Sequence, residues 1–457
     1  MNNVLSSEMD GATLTGSGSA GKRSSRARRG SEKPLVGAYI SLLLFMVIDC
    51  MRPQEWMPKL SVIPMARIAG GIMFLATISC IGRISRSMPR EVFYLILLVA
   101  QLFATVPFST IWRFGALATT LDFSKVIIIF IVIALTLNTG DRLRQVILIQ
   151  AVSVLVLAGF SVLKPHLLIG RLEGASMGNF SNPNDLALTI VISLPLCLAL
   201  LFLSKSVLWK VAWAVAMLLM TYALLLTGSR GGFLALIVAT TVLLWELAIR
   251  GHRRYLLIVA VLPAVILWQF SGATLSQRFR STFSNENAPG AYESAQQRQQ
   301  LFWRSVEVTL QHPLFGVGPG NFYSVSGNWH VTHNSFTQMS SEGGVPALVL
   351  YVLILWRGFK NIGAAKRLGG RIKETSILAR TLNASLAGYV VGSCFASVAY
   401  QFVPYFLVAY TIALREIAKK AARRSERNFP VKHASPQTES YPGTEMPWVT
   451  CGSSATP

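Results

Sequence analysis

Two of the chain's six histidines, His330 and His333, stand three residues apart in the polar stretch "WHVTHNSFTQMSSEGG" (329–344). Trp329, Asn334 and Glu342 share that stretch, and an apolar run, "VPALVLYVLILW", follows directly. An unperturbed imidazole titrates near pH ~6.5, so such a residue can take a hydroxyl proton at neutral pH. His333 is the candidate acid or base. Asn334 could orient it or the substrate, and Glu342 could support the arrangement. Taken by themselves, the two histidines fit loop residues satisfied by water equally well. His-x-x-His supplies only two metal ligands, with no HExxH pattern and no cysteine partner, so no metal site is expected. A serine hydrolase is not indicated either, since GxSxG is absent.

Arginines form the second set. Arg230 lies in "TGSRGG" (227–232), a turn between two apolar runs. A charge at membrane depth is costly unless paired or functional, and the flanking glycines would let backbone amides approach an anion. The plainer alternative is an interface arginine whose stem snorkels. Arg298 and Arg304 are six residues apart on a predicted helix, about 120° off one face, so one can meet a site while the other meets water. Arg171 is a further candidate, unless it forms a local ion pair with nearby Glu173. Guanidinium groups converging from separate loops suit a phosphate or diphosphate, because each donates two parallel hydrogen bonds. Asp122 and Lys125, three apart in an apolar run, share a helix face and read as neutralising each other.

What positions these residues follows from composition. Hydrophobic residues make up 52% of the 457 positions and charged residues 14%, with a mean hydropathy of +0.48. A soluble chain of this length needs more charge to cover its surface. An all-α polytopic membrane protein is expected. A helix crosses the bilayer with roughly 20 apolar residues. Such runs lie near 35–51, 62–82, 91–111, 115–137, 143–163, 185–203, 208–226, 231–249, 255–270, 344–358, 379–399 and 401–417, about twelve transmembrane helices. The net charge of +22 is dispersed in short clusters between these runs, with no basic, aromatic-interleaved module, so nucleic acid is not an expected partner.

Basic residues in alternate connections, and in both tails, place both termini in the cytoplasm by the positive-inside rule. The connections 164–184, 227–232 and 271–343 then face outward. The last is too long for a tether. Its segment "SAQQRQQLFWRSVEVTLQ" sets Phe302, Val306 and Leu310 at helical spacing, which predicts a short amphipathic helix. "HPLFGVGPGNF" should be irregular. The organisation expected is a disordered basic tail (1–33) without a signal peptide's apolar core, a transmembrane domain (34–418) and a polar cytoplasmic tail (419–457). The five cysteines form no CxxC and read as inert.

The pieces "GNFSNPNDLAL", "TGSRGGFLAL", "RQQLFWRSVEVTLQHPLFGVGPGNF" and "THNSFTQMSSEGG", in this order, resemble the bacterial O-antigen ligase and polymerase superfamily over roughly 165–358. The resemblance implies a glycosyltransferase of the bacterial inner membrane, active at the periplasmic face. Its donor would be a glycan on undecaprenyl diphosphate and its acceptor a glycan, lipid or protein, with no cofactor and no metal. By motif, Arg230 and Arg298 match the family's turn and loop arginines and would bind the diphosphate. His333 and Asn334 match its His-Asn pair, and Glu342 with Gly343 its Glu-x-Gly-like end, although here the glycines are adjacent. Arg304 has no firm counterpart, and His330 looks particular to this chain. A polymerase shares the same donor chemistry. A non-enzymatic flippase of lipid-linked glycans would instead show charges along a central pathway or an internal helix repeat.

Overall fold

The structure, a computed structural model, describes residues 36–56, 58–60, 62–81, 88–109, 111–168, 171–174, 182–251, 289–327, 329–370 and 372–428. Its elements are α1 (Val36–Met51), a short α2 (Pro53–Trp56), α3 (Met65–Ile81), α4 (Arg90–Thr105), α5 (Arg113–Thr136) and α6 (Gly140–Leu163). An antiparallel hairpin, β1 (His166–Leu168) and β2 (Arg171–Glu173), follows. Then come α7 (Pro183–Leu203), α8 (Val207–Leu226), α9 (Arg230–Leu244), α10 (Pro289–Gln311), α11 (Phe322–Val325), α12 (Ser335–Gly369), α13 (Lys373–Gly392) and α14 (Val403–Asn428).

Eleven of the twelve expected apolar runs fall on these helices; the run at 255–270 lies outside the described residues. By length and composition, however, only seven of the described helices can cross a membrane: α4 to α9 and α12. That is fewer than the twelve expected. α1 and α3 are apolar but shorter. α13 opens on Lys373 and Glu374 and carries Arg380, and α14 turns charged after Leu414. Both nonetheless pack into the bundle, α13 on α7 and α9, α14 on α12 and α5.

α7 and α12 form the centre. α7 is buried along most of its length and packs on α6, α8, α9 and α13, while α12 meets α4, α10, α13 and α14. Several polar groups inside the bundle pair across helices. Tyr351 and Tyr389 share a hydroxyl–hydroxyl bond of 2.6 Å between α12 and α13. Glu91, fully buried on α4, accepts from Arg357 Nε at 2.8 Å and Asn361 Nδ2 at 3.1 Å on α12. Asp122 and Lys125 do pair with each other on an exposed face of α5.

The predicted amphipathic helix is α10, but its buried stripe differs from the expected one. Leu301, Ser305 and Val308 are buried, whereas Leu310 is 75% exposed. The helix docks on α12 partly through small polar residues, with Thr309 and Ser340 hydroxyls 2.9 Å apart. An apolar-only pattern cannot show such a face.

α12 is kinked at Gly344 (φ 81°, ψ 171°), a conformation essentially reserved for glycine. There Val345 N donates to Pro313 O at 2.7 Å, and a Cβ on Gly344 would lie 2.3 Å from Leu314 O. Gly344→Ala is therefore predicted to destabilise the protein by at least about 1–3 kcal/mol, read as a lower thermal aggregation midpoint in detergent than that of Gly363→Ala, where the added Cβ meets nothing.

Candidate active site

The short turn between α8 and α9 is held by a network that begins on α7. Asn182 caps α7, its side chain accepting from Asn184 N at 2.9 Å. Ser229 caps α9, accepting from Gly232 N at 3.1 Å. Such caps satisfy amides that the first turn of a helix leaves free. Ser229 Oγ also donates to Asn184 Oδ1 at 2.8 Å. The same Asn184 oxygen accepts from Arg171 Nη2 at 3.1 Å, while Arg171 Nε donates to Thr227 O at 2.9 Å. One buried carboxamide thus ties the hairpin, the start of α7 and the turn bearing Arg230 into one unit. Arg230 itself is exposed at the amino end of α9, where the helix dipole adds to its positive field.

The histidine stretch is fixed by a second network. Asn334 caps α12, its Oδ1 accepting from Phe336 N at 2.9 Å and Thr337 N at 3.2 Å. Ser335 N donates to Ser393 O at 2.8 Å and Ser335 Oγ to Ala396 O at 2.7 Å. Thr332 and Ser397 share a hydroxyl bond of 2.9 Å. His333, in between, is held at φ +51°, a left-handed backbone uncommon outside glycine. Its Nδ1 is buried without a hydrogen-bond partner among the described residues.

Electrostatics join the two networks. Burial, followed by the charges of Arg298, His330 and Arg171, pushes His333 down to about 4. Arg298 is lowered too, first by burial and then by Arg230. Arg298 and Arg171 thus lie within electrostatic reach of His333, and Arg230 within reach of Arg298. His333 is consequently neutral at pH 7, as a proton acceptor must be, and the charges that act on it are positive. Clustered positive charge of this kind attracts anions.

Glu342 serves a different purpose from the histidine. Its buried carboxylate accepts from Gly320 N at 3.0 Å and Phe322 N at 3.4 Å, and its carbonyl from Gly318 N at 2.9 Å. Gly318 and Gly320 have φ of 97° and 77°, the left-handed backbone that "GVGPGNF" requires. Glu342 therefore clamps this loop onto α12. Gln101 of α4 assists by donating to Leu314 O at 2.7 Å and Gly343 O at 3.0 Å. Arg304 is occupied elsewhere: it donates to Val325 O at 3.1 Å and pairs with Glu307 at 2.8 Å.

Asn184, Ser229 and Gln101 were not singled out from the sequence. Ser229 lies inside "TGSRGG" just before an apolar helix, where its cap-forming residue type was the available signal; Asn184, within the first turn of α7, offered none. Gln101 is a lone amide in an apolar helix, and only the fold reveals its partner.

Residues 215–352 match the family described as O-antigen ligase. The matched segment carries Arg230, Arg298 and His333. No curated protein matches the chain. Among solved structures, a chain of "Structural coordination of polymerization and crosslinking by a peptidoglycan synthase complex" is similar, with 18% identity and a TM-score of 0.39, over 72% of this chain and 97% of that one. So loose a likeness carries no argument.

Asn184→Ala should free Arg171 and loosen the cap below Arg230. The expected result is a rise of the His333 pKa towards ordinary histidine values, measured by NMR of histidine-labelled protein. An unchanged titration would mean that Asn184 does not set the field at His333.

Proposed function

We propose that this chain transfers a glycan from undecaprenyl diphosphate to an acceptor hydroxyl at the periplasmic face of the bacterial inner membrane. The observation that carries the reading is the neutral, half-buried His333 within the field of Arg298 and Arg171, with Arg230 in turn within reach of Arg298, at one end of the bundle. The superfamily match covers three of these four residues. Orientation is supported by the opposite end, where the start of α1, the short α5–α6 connection with the basic start of α6, and the charged half of α14 meet. There Tyr39 bonds Gln145 at 2.6 Å and Lys420 bonds Asn138 O at 3.1 Å. Basic residues gathered at that end suit the cytoplasmic side, with both termini there.

In this reading Arg230 and Arg298 hold the donor diphosphate, and Arg171 adds to the field. The acceptor oxygen attacks the anomeric carbon as His333 takes its proton. The bond from that carbon to the diphosphate oxygen breaks, and undecaprenyl diphosphate leaves as the anion. The arginines stabilise the charge that grows on this leaving group. A single displacement inverts the anomeric carbon and calls on no metal. Proton removal of this kind contributes roughly 10²–10⁴ in rate.

His333 is a weak base in the free protein, first because it is buried and then because Arg298, His330 and Arg171 repel a positive charge on it. Bound diphosphate cancels that repulsion, so donor binding should precede and enable proton transfer. Two outcomes follow. In vesicles supplied with a lipid-diphosphate glycan and acceptor, His333→Ala should lose roughly 10²–10⁴ in transfer rate; transfer at a near-normal rate would remove the base assignment. Arg298→Ala should raise the KM for donor, and an unchanged KM would require another clamp residue. Protonation of His333 abolishes its role, so activity is lost as pH falls. With donor limiting, the acid limb should lie near the free-protein value of about 4, and saturating donor should move it upward. Coincident limbs in the two conditions would contradict donor-first binding.

A further inference from the structure

Four residues before His333, the chain places a tryptophan where neither packing nor backbone geometry favours one. Trp329 is 64% exposed, so it forgoes most of the burial that normally justifies so large a side chain. Its φ is +54°, a conformation that glycine adopts freely and other residues adopt at a cost of order 1–3 kcal/mol. Nearby Gly327, at φ +83° in open space, shows glycine already in use where this loop turns left-handed.

Trp329 is not isolated. Tyr323, 46% exposed, meets it edge-to-face with ring centroids 5.5 Å apart and planes inclined by 61°. Their backbone is pinned: Ser326 Oγ accepts from His330 N at 3.1 Å and donates to Tyr323 O at 2.9 Å. Arg304 secures Val325 O from α10. The pair therefore stands as a fixed, solvent-facing aromatic surface. His330 is exposed beside it, within electrostatic reach of His333.

We infer that Trp329 and Tyr323 form a stacking platform for a sugar ring of the acceptor, beside the base that must receive the acceptor's proton. A pyranose has an apolar C–H face and a rim of hydroxyls. The indole face covers the first, and the Trp329 N–H, the Tyr323 hydroxyl and the His330 imidazole are partners for the second. The proposal rests on the glycosyl-transfer reading, in which an acceptor must come to His333. The strain at Trp329 is then the cost of aiming its ring into the acceptor's path. An interfacial anchor would be the other use of an exposed tryptophan, but an anchor has no effect on sugar affinity.

The test is equilibrium binding to the full-length protein in detergent, without turnover. The probes are two water-soluble oligosaccharides, a deacylated lipid A–core and an O-antigen repeat unit released from its carrier. At least one should bind the wild type. Trp329→Gly relieves the backbone while removing the ring, and it should weaken that binding roughly tenfold, the equivalent of about 1.4 kcal/mol. Trp329→Phe should restore affinity to within about threefold. Affinity for the lipid-diphosphate donor should not change in either variant. Failure of both probes to bind, binding by Trp329→Gly equal to wild type, or weakening of donor affinity instead would each overturn the platform. Because no transfer is measured, a wild type that binds acceptor yet never transfers glycan would refute the reaction and leave the platform standing.

Discussion

Like charge crowded around a half-buried imidazole is the constraint on which the site depends. Arg171, Arg230 and Arg298 come from three separate elements; Arg298 and Arg171 disfavour a positive charge on His333, and Arg230 disfavours one on Arg298. Such an arrangement is unfavourable in the empty protein, where the usual 1–3 kcal/mol costs of desolvated or repelling groups apply. It persists because the surrounding fold over-determines it. Asn184 anchors Arg171 and the cap of α9 together, and the Asn334 cap and the Ser335 contacts fix the histidine stretch.

Rigidity around this point is achieved mainly with backbone groups. Caps on α7, α9 and α12 leave the amino ends of three helices ordered at the same end of the bundle. Glu342 spends its carboxylate on amides of the glycine-rich loop rather than on His333. Glu342 therefore does not orient His333 as the carboxylate of a serine-hydrolase triad would. A base silent until the donor arrives would limit idle proton transfer, and this links the electrostatics of the empty site to the order of binding.

The helices were legible in the sequence because apolar runs of membrane length leave few other folds open. Their status as spans was less so: α13 and α14 are helical where expected, yet too charged to count by composition, since packing against α7, α9 and α12 offsets what lipid would not tolerate. Arg230, Arg298 and His333 could be singled out as candidates from motif and topology. The roles of Asn334 and Glu342 could not, because a cap and a loop clamp are defined by backbone amides, which no residue type announces. The buried face of α10 was misjudged for a related reason: Ser305 and Thr309 dock there, and a hydrophobic pattern passes over them.

The central claim is that an anion held by these arginines turns His333 into a base. The most direct measurement is the pKa of His333, followed by NMR in histidine-labelled protein with and without undecaprenyl diphosphate. A value near 4 in the free protein that rises markedly on binding is the result predicted. A His333 titration indifferent to the lipid diphosphate would contradict the account.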